Sequence, residues 1–449
     1  MTPSDSPAAS QRPRRALDSG PWLAPIADEP VHATVSIPGS KSETNRALVL
    51  AALSDGPSSI TGALDARDTQ LMRQGLRALG VDIDDSGEVW RVTPPEHFTG
   101  GGHIDCGLAG TVMRFLPPLA ALADGEVTFD GDEAARRRPI QPLLDALYDM
   151  GAQLPDDATA LPFGIVGRPD LPGGAINVDS STSSQYVSGL LLAGARFARG
   201  LDLRHIGAGP VPSRPHIDMT VSMLRARGVQ IDDSQQNRWA VSPGAIAAKD
   251  ELIQPDLSNA APFLAAAAIT GGEVSVRHWP RTTTQPGDLL REILTEFGAE
   301  VSLTDEALTV RGTNHVHAVD LDLSAASELT PVVAAIAALA DGTSHLRGIG
   351  HIRGHETDRL TALQTELEKL GAKVDVHDDG LTIHPRVLHG GDFGTYADHR
   401  MAHAAAVLGL IVDEIVLDDI GCTAKTMPEF ALLWQQMLAD SDDWSERQR

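Results

Sequence analysis

A Leu/Ala-rich segment that closes on an acidic or glycine turn recurs six times along the chain, at Leu50–Gly56, Leu119–Gly125, Leu192–Gly200, Ala265–Gly272, Ile336–Gly342 and Val407–Asp413. The interval is roughly 70 to 75 residues, far longer than the period of a coiled coil or a solenoid array. A second marker falls between these: an amphipathic helical pattern that ends on glycine and runs at once into strand chemistry. It occurs at Leu79-Gly-Val-Asp-Ile83, Met150-Gly-Ala-Gln-Leu154, Arg227-Gly-Val-Gln-Ile231, Phe297-Gly-Ala-Glu-Val301 and Leu370-Gly-Ala-Lys-Val374. Glycine is the residue expected where a helix ends in a left-handed turn. Each unit therefore reads strand, helix, strand, helix, strand, strand. One such helix is commonplace, but two interleaved series specify a repeated α/β architecture.

With 449 residues and 42% hydrophobic content, the chain suits two domains, each with its own core. Six units divide into two sets of three, and a crossover near Ile253-Gln-Pro255 is the expected hinge. The opening strand, His32 to Ile37, fits either side by pattern; the division adopted is 38–253 for the first three units, and 30–37 plus 254–438 for the rest. Residues 1–29 lack periodicity and read as a disordered or loosely attached extension, and 439–449 as a polar tail that frays from about Ser441. Aromatic residues are only 4% of the chain, so aliphatic side chains on closely packed helices must fill the cores.

A net charge of −25 argues against general nucleic-acid binding, so any site for an anion must be a local basic island. Two cysteines, Cys106 and Cys422, cannot build a disulfide framework and fit a reducing compartment. No apolar run is long enough to span a bilayer and the N-terminal arginines precede no apolar signal region, so the expectation is a soluble, cytoplasmic protein.

The basic island is readable at predicted helix starts. The strand His32–Ile37 runs into Pro38-Gly-Ser-Lys-Ser-Glu-Thr-Asn-Arg46, where Ser40 or Ser42 can cap a helix and Ser42 and Arg46 share a face beside Lys41. Hydroxyl, ammonium and guanidinium at a positive helix end suit an anion. A nucleotide P-loop would need a glycine spacing absent here. Gly107–Arg114 opens another helix with small residues that let backbone amides approach a ligand, and Asp179–Gln185 sets a hydroxyl run before an apolar helix. Arg136-Arg-Arg-Pro139 is a dense basic cluster, and His355–Arg359, Tyr396–Arg400 and Thr423–Pro428 each bring a base or cation to a helix start. Any one of these is more often a cap or a solvated loop. Together they point to a site for two charged anions, with carboxylates and lysines to move protons.

In combination, Pro-Gly-Ser-Lys-Ser with Asn45-Arg46, Ala-Gly-Thr with Met113-Arg114, Arg138-Pro139, Ser183-Ser-Gln185, Glu356-Thr-Asp-Arg359, Asp398-His-Arg400 and Lys425-Thr-Met-Pro428 resemble the 5-enolpyruvylshikimate-3-phosphate synthases, in order from about Val31 to Trp434. Cys106–Thr111 and Arg353–Arg359 most resemble actinobacterial members. The resemblance implies two inside-out α/β domains of three βαβαββ units each, with an interdomain cleft that closes over substrate. It implies transfer of the enolpyruvyl group of phosphoenolpyruvate to the 5-hydroxyl of shikimate 3-phosphate, by a monomer, without cofactor, metal or covalent adduct. Lys41, Ser42, Arg46, Ser183, Ser184, Gln185, Ser213, Glu328 and His355 would hold shikimate 3-phosphate. Lys41, Gly110, Arg138, Gln185, Arg359, Arg400 and Lys425 would hold phosphoenolpyruvate. Glu328 would accept the hydroxyl proton and Glu356 would move the proton at the methylene carbon, helped by Lys41 or Lys425, with His399 also in the catalytic set.

The chain departs from the family's usual pattern at Glu328 (often Asp), His355 (Lys), His216 (Tyr) and Leu108 (Asn). The sister enzyme that acts on UDP-N-acetylglucosamine uses a loop cysteine, and the basic stretch Asp132–Pro139 has none. A binding protein without turnover would not need Glu328, Glu356, His399 and Lys425 as titratable groups.

Overall fold

Six helices in the chain have almost no polar face: α1 (Lys41–Leu53), α2 (Gly110–Ala120), α3 (Gln185–Gly194), α4 (Ala261–Thr270), α5 (Thr330–Ala338) and α6 (His399–Gly409). A helix that is apolar all round has no side to offer water and must be surrounded by protein. Every residue of α2, α5 and α6 is accordingly buried. Small residues let these helices approach closely. A Cβ on Gly189 of α3 would stand 2.2 Å from the Arg114 carbonyl oxygen of α2. The second helix of a unit, such as Arg67–Ala78 or Arg214–Arg225, is amphipathic and buries one face only.

The computed structural model describes residues 20–448 apart from 156 and 314. Its strands form six small sheets with one recurring order. In the third unit, Gly174–Val178 runs parallel to Leu201–His205, which pairs antiparallel with Arg238–Val241, which pairs antiparallel with Ile231–Asp232. Buried apolar side chains gather into two clusters, one spanning residues 47–253 and the other drawn from 24–37 and 257–437.

The two halves exchange strands. His32–Val35 leads into α1 yet pairs with Glu273–Arg277 of the second half, whereas Glu251–Leu252 leads toward α4 yet pairs with Ser58–Thr61 of the first. Both chain crossings therefore run side by side. Ser40 N–H donates to the Gln254 carbonyl at 2.8 Å, and Asp256 N–H donates to the Pro38 carbonyl at 2.9 Å. Gly39 lies in this crossing because a Cβ there would meet the Gly62 carbonyl oxygen at 2.0 Å.

The expected disorder up to residue 29 fails for residues 20–29; residues 1–19 lie outside the described residues. The sixth unit ends in the helix Phe430–Gln448 and has no closing strands of its own, so Ile415–Leu417 would present an open edge. Trp22–Leu23 covers it, with Trp22 opposite Leu417, and Ala24 N–H donates to the Ile415 carbonyl at 2.9 Å. Ala24 packs over Gly409, where a Cβ would come within 2.3 Å of the Ala24 Cβ. The expected fraying from about Ser441 fails at Ser441 itself. The last helix runs on to Gln448, and the buried Ser441 hydroxyl accepts from His32 N–H at 3.0 Å and donates to the Pro30 carbonyl at 3.2 Å.

A chain beginning at residue 28 should therefore melt about 2 to 4 °C below one beginning at residue 20, the loss of an edge strand and its buried alanine being worth about 1–2 kcal/mol. Equal melting temperatures by calorimetry would show that the strand does not support the sixth sheet.

Candidate active site

The N-terminal ends of α1 to α6 face one cavity, whose free volume with its mouth included is about 1080 Å3. Lys41 and Ser42 stand at the start of α1, Thr111 at α2, Ser183 to Gln185 at α3, Ser258 just before α4, Ser327 and Glu328 before α5, and His399 and Arg400 at α6. Each helix end is equivalent to about half a positive charge, and its first amide N–H groups lack helical partners. Converging six of them makes an electropositive gap in an acidic protein.

Cations deepen it. Arg46, Arg114, Arg138 and Arg400 line the cavity, and among the described residues none makes an ion pair with a carboxylate. Arg46, Arg114 and Arg400 are also buried. Burial holds Arg46 down to about 9 and Arg114 down to about 10, the latter helped by Arg138. A buried cation without a counter-charge costs several kcal/mol, so the arrangement calls for an anionic ligand.

These arginines differ in what they have left to donate. Arg46 gives Nε to Thr220 Oγ1 at 2.8 Å, Nη1 to the Ser42 carbonyl at 3.0 Å, and Nη2 to the His216 carbonyl at 2.9 Å and Ser188 Oγ at 3.3 Å. Its guanidinium lies 5.1 Å from the Phe115 ring centroid. Most of its donors are committed to the protein, so its charge and one remaining N–H serve a ligand. Among the described residues Arg400 makes one side-chain hydrogen bond, to the Ser258 carbonyl at 2.6 Å, and Arg138 one, to the Leu108 carbonyl at 3.3 Å. Arg114 holds Gln185 Oε1 at 3.1 Å. A Cβ on Gly110 would sit 2.9 Å from Arg114 Nη1, 3.0 Å from Arg138 Nη2 and 3.0 Å from Gln185 Oε1, so only glycine leaves that floor open.

The remaining cations are paired. Lys41 Nζ donates to the buried Asp68 at 3.2 Å, and its backbone N–H to Asp256 at 3.1 Å. Arg359 forks onto Asp398, Nε to Oδ2 at 2.8 Å and Nη2 to Oδ1 at 3.0 Å, and also reaches Glu356 at 3.0 Å. Lys425 Nζ donates to the other oxygen of Glu356. Burial would raise the Glu356 carboxyl, but Lys425, Arg359 and Arg138 hold it well below its ordinary value, so it stays ionised. Glu328 has the opposite balance. Burial raises it, against its own backbone N–H, the Arg400 charge and the Ser258 hydroxyl at 3.1 Å.

The histidines are neutral. Burial, then Arg359, pushes His355 well below 6.5, and Arg359 Nη1 donates to its Nδ1 at 3.1 Å, which leaves the ring proton on Nε2. Burial and the neighbouring Arg400 do the same to His399 and to His403 behind it.

Contacts across the gap show the two halves closed on each other. Ser213 N–H donates to the Ser324 carbonyl at 3.1 Å and Ser213 Oγ lies 3.3 Å from Ser327 Oγ, while Lys425 Nζ reaches the Leu108 carbonyl at 3.4 Å. Ser213 holds a left-handed backbone (φ 51°), as do Tyr396 (56°) and Ala397 (55°) just before Asp398. Such conformations cost about 1–3 kcal/mol each and persist where the surroundings hold them. The Tyr396 hydroxyl donates to the buried Glu366 at 2.6 Å and Gly394 N–H to the same carboxylate at 2.9 Å, which fixes the loop that aims Asp398.

Of the residues singled out in the sequence, Lys41, Ser42, Arg46, Arg138, Ser183, Ser184, Gln185, Ser213, Glu328, His355, Glu356, Arg359, His399 and Arg400 line this cavity. Lys425 stands behind Glu356 and Gly110 beneath Gln185. Cys106 and Cys422 are off it, both thiols pushed up to about 12 by burial. Sequence reasoning did not find Asp68, Ser258, Gln285, Ser327 or His351, because each meets its partner from a distant segment without a motif of its own.

The chain matches the family described as EPSP synthase (3-phosphoshikimate 1-carboxyvinyltransferase) over residues 26–433. Two structures of EPSP synthase from Acinetobacter baumannii superpose with TM-scores of 0.77 and 0.76 at 24% and 23% identity, each covering 94% of this chain and 98% of the other. The enolpyruvyl transferase NikO from Streptomyces tendae superposes with a TM-score of 0.73 at 19% identity, with the same coverage.

His403 yields a prediction about acid stability. It is fully buried and, among the described residues, neither ring nitrogen has a hydrogen-bond partner. Its folded-state pKa lies well below 6.5, so the unfolded chain takes up the proton first. Its contribution is full above about pH 6.5 and is lost at about 1.4 kcal/mol per pH unit below that. His403→Leu should therefore lose less stability than the parent between pH 6.5 and 5 in urea unfolding; an unchanged loss would contradict the burial of a neutral ring.

Proposed function

The chain belongs to the EPSP synthase family and so transfers the enolpyruvyl group of phosphoenolpyruvate to shikimate 3-phosphate; from that premise we propose which side chains carry each step. Two unit charges about 5 Å apart repel by about 3 kcal/mol at an effective dielectric of 20, and both substrates carry several. The unpaired arginines offset this repulsion. Shikimate 3-phosphate takes the side of the cavity formed by Ser42, Arg46, Ser183, Ser184, Gln185 and Ser213. Phosphoenolpyruvate takes the side formed by Arg138, Arg400, Gly110 and the cavity-lining edge of the buried Arg359, with Lys41 between the two.

Glu328 is the base for the 5-hydroxyl. Burial raises its proton affinity above that of an ordinary carboxylate, which makes it a stronger base. As the hydroxyl oxygen bonds to C2 of the enol, C3 gains a proton. A carboxylate gripped by Lys425 and Arg359 is a poor proton source, so Lys41, which lines the cavity, or Lys425 supplies the proton, with Glu356 orienting Lys425 and His399 alongside as a neutral imidazole. The tetrahedral intermediate then expels phosphate, C2 regains its double bond as C3 gives the proton back, and no metal, cofactor or covalent adduct takes part. The observation that carries this reading is that Glu328 shares one closed cavity with Arg138 and Arg400, whose guanidinium groups lack carboxylate partners among the described residues.

We also propose that residues 38–253 act as one domain and 30–37 with 254–438 as the other, closing about the paired crossing at Gly39 and Pro255. The unpaired cysteines support a cytoplasmic setting, and the motifs at Cys106–Thr111 and Arg353–Arg359 support actinobacterial affinity.

Phosphate release should require shikimate 3-phosphate together with phosphoenolpyruvate; release with UDP-N-acetylglucosamine instead, or binding of both substrates without release, would overturn this reading. Glu328→Gln should bind both substrates nearly normally and turn over about a hundredfold or more slowly. Unimpaired turnover would remove Glu328 from its role. Arg138→Ala should weaken phosphoenolpyruvate binding and leave shikimate 3-phosphate alone little changed; equal weakening of both would reject the division of the cavity.

A further inference from the structure

Glu328 and His216 reach each other from opposite halves of the chain. Glu328 sits in the short helical turn Ser327–Leu329 before α5, and His216 in the first turn of Arg214–Arg225. His216 Nε2 stands 3.7 Å from Glu328 Oε1. The histidine backbone is anchored: its N–H donates to the Ser213 carbonyl at 3.1 Å, and its carbonyl accepts from Arg46 Nη2 at 2.9 Å and Thr220 Oγ1 at 3.0 Å. Ser213 is also the residue that bridges to Ser324 and Ser327. The element that latches the cleft thus also aims the imidazole.

We propose that His216 is a positioning residue for Glu328: as substrates draw the already closed cleft tighter, its Nε2–H comes within hydrogen-bond distance of Oε1, holds the carboxylate ionised and leaves Oε2 to face the substrate hydroxyl. The remaining approach is about 0.7 Å. The proposal rests on Glu328 being the base.

The surroundings set the direction of the effect. Glu328 feels Arg400 from α6, Asp256 from the crossing, Ser258 before α4, His351 from Gly350–Gly354 and Arg359 from the next helix. His216 lies near Arg46, Lys41, Asp256 and Arg400, and burial with those cations pushes it down to about 3. It is therefore a neutral donor, not a proton acceptor. A donor to the charged form lowers the pKa of a carboxyl. Only the cleft drawn tight on substrates supplies this one, so base strength and substrate binding are tied together.

The test is steady-state kinetics and pH profiles of His216→Phe and His216→Gln, alone and combined with Glu328→Gln, with melting curves to establish folding. His216→Phe should lower kcat about tenfold, keep both KM values within about threefold, and move the acid limb of kcat upward by about half to one pH unit. His216→Gln, which restores an N–H donor, should recover most of the rate. In the Glu328→Gln background, His216→Phe should cost nothing more. A raised KM for shikimate 3-phosphate with unchanged kcat and an unmoved acid limb, while Glu328→Gln is slow, would overturn the proposal alone. Normal turnover by Glu328→Gln would overturn the base assignment and this proposal together.

Discussion

Positive helix ends repel one another, and this protein points six of them at one gap. That arrangement is stable only if negative charge fills it. The protein's own carboxylates do part of the work: Asp398 and Glu356 hold Arg359, Glu356 holds Lys425, and Asp68 holds Lys41. Arg46, Arg114, Arg138 and Arg400 are left to ligands. The fold therefore stores electrostatic demand in the cleft and satisfies it with substrate, which ties binding to closure and puts the developing charges of the reaction among fixed donors.

The exchanged strands make such closure possible without loosening either core. Each half completes a sheet with a strand whose chain then enters the other half, so the linkers are two hydrogen-bonded segments side by side rather than one flexible thread. Glu43 ties helix α1 to this crossing by accepting from Gln254 N–H at 2.9 Å, and burial pushes its carboxyl up to about 7. Movement of the crossing is transmitted to the start of α1, where Lys41 stands.

Much of this was legible in the residues. The repeat followed from helix and turn chemistry alone, because a fully apolar helix and an amphipathic helix leave different patterns. The cations at helix starts were readable because their motifs are local. Partnerships across the chain were not: Asp68 lies one helix from Lys41, and Ser258 meets Glu328 only once the fold is made. Trp22–Leu23 is too short to show any alternation, and its role depends on an edge some 390 residues away. The motif also gave no sign that Arg46 gives most of its donors to Ser42, Ser188, His216 and Thr220, or that Glu356 stays ionised.

The most direct measurement is a crystal structure with shikimate 3-phosphate and an unreactive phosphoenolpyruvate analogue bound together. The account predicts both ligands in the one cavity, the analogue's charged groups on Arg138 and Arg400, and the 5-hydroxyl within hydrogen-bond distance of Glu328. Ligands seated elsewhere, or a 5-hydroxyl turned away from Glu328 while those arginines stay unpaired, would contradict it.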